Sequence, residues 1–124
     1  MTDAKKILIV EDEKPMAQAL ETKLNRAGFN ARAVFNGSEA LSTLEIDIFD
    51  LIILDLIMPQ TDGFTVLEKL KEKGNKTPVI VASNLRQEED FSRAKSLGAV
   101  DFIVKSRSSL SQIVLLITEF FNKK

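Results

Sequence analysis

Leu51, Ile52, Ile53 and Leu54 form an unbroken apolar run that stops on an acid, Asp55. A run with no polar position leaves no side for water, so it predicts a strand covered on both faces, as in a parallel sheet. The rest of the chain alternates strand-like and helix-like segments. Ile7 to Val10 is a short apolar run; the segment after it has Pro15 where a first helical turn tolerates proline, then Met16, Leu20 and Leu24 at helical spacing up to Gly28. Asn30 to Phe35 alternates like a strand, and "GSEALSTLE" opens a helix after Gly37 with Ala40, Leu41 and Leu44 inward. The third strand is Leu51 to Asp55. Asp62 and Gly63 signal a turn, and Phe64, Leu67 and Leu70 a helix ending near Gly74. Pro78 opens the fourth strand, Val79 to Ala82; in "RQEEDFSRAKSLG" acids lead and bases follow, the order that a helix dipole favours. Val100 to Val104 is the fifth strand, and Leu110, Ile113, Val114, Ile117 and Phe120 line one face of the last helix. Five strand and helix pairs with right-handed crossovers imply an α/β fold, doubly wound, with helices on both faces of a parallel sheet. At 124 residues and 44% hydrophobic content the chain suits one compact core, so residues 1–124 are expected to form one domain.

In such sheets ligands bind beyond the carboxyl ends of the strands. The residues there are Glu11 and Asp12, Asp55, Ser83 and Asn84, and Lys105. The chain has no cysteine and no histidine, so carboxylates, hydroxyls and lysine must carry any chemistry. Its net charge of -1 provides no global basic field for nucleic acid or an anionic membrane. "MTDAKKILIVEDE" is neither a signal peptide nor a membrane span, so the expected compartment is the cytoplasm. Taken singly the rim residues have bland roles: Asp12 as the cap of the first helix, Ser83 as a loop hydroxyl, Lys105 as a solvated charge. Taken together they complement one another. Clustered carboxylates repel unless a cation sits among them, and an oxygen-only donor set suits Mg2+. Lysine and a hydroxyl opposite can receive a phosphoryl oxygen.

Four separated motifs, in order, resemble those of a response-regulator receiver domain over essentially the whole chain. "ILIVEDE" is similar to that family's first strand and acidic pair, and "LIILDLIMPQTDGF" to its third strand, phosphoacceptor and following loop. "PVIVASN" matches the fourth strand with its switch hydroxyl, and "DFIVKS" the switch aromatic and lysine. The resemblance implies a flavodoxin-like (βα)5 fold with strand order 2-1-3-4-5, and a signalling domain, not an enzyme, that assists its own phosphorylation and dephosphorylation. Asp55 would be the phosphoacceptor. Asp12 and Asp55, with the Ile57 carbonyl, would ligate Mg2+, and Glu11 would act mostly through water. Ser83 would move to the phosphoryl group, Phe102 would turn inward, and Lys105 would pair with the phosphate. The implied partners are a sensor histidine kinase or phosphotransfer protein and a downstream protein that reads the surface of the fourth helix, fifth strand and fifth helix.

Two positions depart from the family pattern: Asn84 stands where a small residue is usual, and Ser106 where proline follows the lysine. Without proline the Lys105 to Ser106 bond is expected to be trans, because a cis bond there costs about 2.5 to 4 kcal/mol. Ile57 and Leu85, both apolar, flank the path of hydrolytic water in the resemblance and predict a long-lived acyl phosphate. Rival classes fit less well. A phosphatase of the aspartyl-phosphate type needs an acid two residues after its nucleophile, where Ile57 stands, and a dinucleotide enzyme needs glycines that do not occur before Gly28. A phosphorylation-independent interaction module remains the alternative. No effector segment follows Lys124, as expected of either a single-domain regulator or a piece of a longer chain.

Overall fold

In the computed structural model, which describes residues 4–58, 61–84 and 87–123, strands and helices alternate throughout. They run β1 (Lys6–Val10), α1 (Lys14–Arg26), β2 (Asn30–Val34), α2 (Gly37–Ile46), β3 (Leu51–Leu54) and α3 (Gly63–Glu72). There follow β4 (Val79–Ser83), α4 (Glu88–Ser96), β5 (Ala99–Val104), a short 3-10 turn (Lys105–Arg107) and α5 (Leu110–Asn122). All pairings are parallel, in the order β2-β1-β3-β4-β5. That is the doubly wound α/β sheet expected. No helix among the described residues is long and apolar enough to cross a membrane.

The unbroken runs are explained by two cores. Along β1, Leu8 and Val10 enter one core while Ile7 and Ile9 enter the other; β3 divides likewise, Ile52 and Leu54 against Leu51 and Ile53. The first core is closed by residues of α2, α3 and α4, including Ala40, Leu67 and Ala94. The second is closed by Leu20 and Leu24 of α1 and Ile113 and Ile117 of α5. Ile7 to Val10 of β1 and every position of β3 are therefore buried on one face or the other.

Several boundaries differ from the sequence expectation. The third strand ends at Leu54, leaving Asp55 as the first residue beyond it, and the fourth continues to Ser83 because Ser83 pairs with Val104. The second helix begins at Gly37 itself, since Asn36 caps it by accepting the Glu39 N–H at 2.8 Å. The capping role weighed for Asp12 is not adopted: Glu13 occupies the cap position of α1, with no side-chain cap bond.

Candidate functional site

Register brings the rim residues together. Val10 pairs with Leu54, so Glu11 and Asp55 emerge side by side, and the Asp55 N–H donates to the Val10 carbonyl at 3.0 Å. The Ser83 and Val104 pair does the same for Asn84 and Lys105, with Ser83 itself on the last rung. Glu11, Asp55, Asn84 and Lys105 thus sit one peptide beyond a rigid ladder and Ser83 on its last rung, while the loops beyond complete the site.

Glu11 and Asp55 are buried, as is Ser83, and Asp12 is half-buried. The Lys105 ammonium, with its side chain only 7% exposed, donates to Glu11 Oε1 at 2.6 Å and to Asp55 Oδ2 at 3.2 Å. It is the local counter-charge that makes two buried carboxylates tolerable. Glu13 Oε1, on a largely exposed side chain, stands 3.6 Å from the same ammonium. Backbone donors complete the arrangement: the Ile57 N–H donates to Asp55 Oδ1 at 3.2 Å and the Glu13 N–H to Glu11 Oε2 at 3.0 Å. Burial pushes the Glu11 carboxyl up to about 7, and the negative charge of Asp55 adds to this, against the opposing bonds from Lys105 and the Glu13 N–H. For Lys105 burial favours the neutral amine, but the Glu11 bond and the nearby charges of Asp55 and Glu11 together outweigh it and hold the ammonium above its usual range.

Glu11, Asp12 and Asp55 each offer an oxygen, and these oxygens lie within 4.8 Å of one another. Three hard donors with no imidazole or thiolate fit Mg2+ in kind. Asp12, Glu13, Asp55, Ile57, Asn84 and Lys105 line the open pocket above them. Ile57 is 54% exposed at this pocket, while Leu85, the other residue of the lifetime expectation, and Pro59 lie outside the described residues. Phe102 is half-buried against the first core, with Phe91 edge-on at 4.4 Å between ring centroids. The Lys105 to Ser106 bond is trans, as are all described peptide bonds.

Sequence reasoning missed Glu13, although the third acid of "EDE" was the available signal. It also took Gly63 for a turn residue alone. A Cβ at Gly63 would meet the Asp55 carbonyl oxygen at 2.3 Å and Leu56 Cα at 2.6 Å, so glycine is what lets α3 start against the loop after β3. The Gly63 N–H uses that approach, donating to the Leu56 carbonyl at 3.0 Å. Gly63→Ala should therefore destabilise the fold by about 1 to 3 kcal/mol, because backbone rather than a flexible side chain must give way. A urea midpoint equal to that of the parent would contradict this steric account.

The family model described as response regulator receiver domain matches residues 7–117. Over 100 residues the chain is 34% identical to the transcriptional regulatory protein DltR of Streptococcus agalactiae and 37% identical to the transcriptional regulatory protein CiaR of Streptococcus pneumoniae. These alignments cover 81% of this chain but only 45% and 44% of the relatives, so the chain spans less than half of their length. The receiver domain of the Francisella response regulator 1452 superposes with a TM-score of 0.88 at 28% identity, covering 96% of this chain and 98% of that one.

Proposed function

This chain belongs to the response-regulator receiver domain family, and from that premise we propose that Asp55 accepts a phosphoryl group from a sensor histidine kinase or phosphotransfer protein. The observation that carries the proposal is the Lys105 ammonium held between Glu11 and Asp55, with Asp12 in the same cluster. An interaction module that never meets phosphate would have no use for so many acids around one buried cation.

The Asp55 carboxylate attacks the phosphorus of a phosphohistidine; the new P–O bond forms as the N–P bond breaks, and the imidazole leaves. Asp12 and Asp55, with the Ile57 carbonyl and with Glu11 through water, would hold Mg2+, which when bound would supply positive charge to the phosphoryl oxygens. Lys105 follows the developing charge, exchanging a carboxylate oxygen for a phosphoryl oxygen at the same rim. Ser83, at the end of β4, donates its hydroxyl to the product, and Phe102 packs inward behind it, remodelling the α4, β5 and α5 surface that a downstream protein reads. Residues 1–124 act as one receiver domain in the cytoplasm, without direct contact to nucleic acid or membrane.

Incubation with acetyl phosphate, read by intact mass, tests the proposal. A single phosphoryl increment should appear with Mg2+ and vanish when Mg2+ is chelated, because the acid cluster repels phosphate without it. Absence of any increment at saturating Mg2+ and donor would leave the phosphorylation-independent module as the better account.

A further inference from the structure

The two departures from the family pattern are in contact. Asn84 follows the last residue of β4 and Ser106 follows Lys105, and the Ser106 N–H donates to Asn84 Oδ1 at 2.7 Å. Each half of this bond requires the unusual residue. Proline at 106 would have no N–H to donate, and alanine at 84 would have no acceptor. The bond joins loops 22 residues apart in sequence at the point where both border the pocket over Asp55.

Lys105 opens the 3-10 turn, and its own carbonyl accepts the Ser108 N–H at 3.3 Å. The backbone direction of that turn decides where a long side chain is launched, and Lys105 must reach two buried oxygens from it. A proline ring restricts such a turn by fixing φ. Serine at 106 does not. We infer that Asn84 is a positioning residue for Lys105: by holding the Ser106 N–H it restrains the turn that aims the ammonium at Asp55, and it links the end of β4 to that turn. Because the acceptor must face an N–H, the amide has one orientation, with Oδ1 toward Ser106.

This inference rests on the phosphoacceptor role of Asp55, and its test separates the two. Asn84→Leu keeps the bulk beside the pocket but removes the acceptor; Ser106→Pro removes the donor. With acetyl phosphate and saturating Mg2+, Asn84→Leu should label Asp55 roughly three- to tenfold more slowly, the range expected when one net hydrogen bond is lost. Its half-saturating Mg2+ concentration should equal that of the parent, because Asn84 is outside the acid cluster. The Ser106 amide should exchange faster in Asn84→Leu and keep its protection in Asn84→Asp, which retains an acceptor. In a Ser106→Pro background Asn84→Leu should cause no further slowing, since the donor is already gone. Labelling of Asn84→Leu at the parental rate, or additive effects in the double variant, would overturn the inference while leaving the phosphoacceptor role intact. A parent that takes no phosphoryl group at all removes that role and this inference together.

Discussion

Exchange of Asp55 for Asn should abolish the phosphoryl mass increment without weakening the fold. The amide is close to the carboxylate in shape, and its oxygen can still accept the Ile57 N–H that now reaches Asp55 Oδ1. It is, however, no nucleophile, so the P–O bond has nothing to form on. Stability argues the same way. Glu11, Glu13 and Asp55 share the Lys105 ammonium and Asp12 lies in the same carboxylate cluster, so removing one negative charge relieves repulsion while Lys105 keeps its closer bond to Glu11. In the absence of Mg2+ the variant should unfold at the parental denaturant midpoint or slightly above it. Persistent labelling of Asp55→Asn would mean that another residue is the acceptor.

Lys105→Met should have the opposite character, costing both stability and labelling. Methionine fills a similar volume but leaves Glu11 and Asp55 buried without their cation. Stranding a buried charge typically costs about 3 to 5 kcal/mol, but Glu11 can escape part of this by taking a proton, so the net loss near pH 8 should be on the order of 2 kcal/mol. The sign of the pH dependence follows from Glu11. Its folded carboxyl is raised to about 7 from 4.5, so its contribution is fully present below about 4.5 and is lost as pH rises through about 7. Loss of Lys105 removes a bond that opposes this rise and so enlarges the effect. Metal-free Lys105→Met should therefore recover much of its deficit as pH falls from about 8 toward 5, and added Mg2+ should restore stability at high pH by binding only the folded state. Labelling should slow by roughly 10²-fold even with Mg2+, because a preorganised donor to the phosphoryl group is gone. A deficit equal at both pH values would show that packing of the lysine stem, and not its charge, is what the fold uses.

The architecture was legible because burial on both faces dictates an unbroken apolar strand, and Ile7 to Val10, Leu51 to Leu54 and Val79 to Ala82 all have that form. The rim residues were legible for a related reason: polar side chains that directly follow such strands have only one edge of the sheet to occupy. What sequence could not supply was contact between loops. Nothing in the spacing of Asn84 and Ser106 indicates a hydrogen bond, because it depends on how two irregular segments leave adjacent strands. The burial of Glu11 is likewise a property of what packs around it and not of the "EDE" that contains it. Strand ends moved by a residue, at Asp55 and Ser83, because pairing with the neighbouring strand decides where a ladder stops.

Division of the strand side chains between two cores separates two mutational neighbourhoods. The helices α1 and α5 stabilise the sheet through Leu20, Leu24, Ile113 and Ile117, whereas Phe102 packs against the opposite core. Substitutions without shared partners usually combine additively. The protein can therefore accumulate changes beneath α1 and α5, drifting in robustness, while the packing that surrounds Phe102 is left under separate selection.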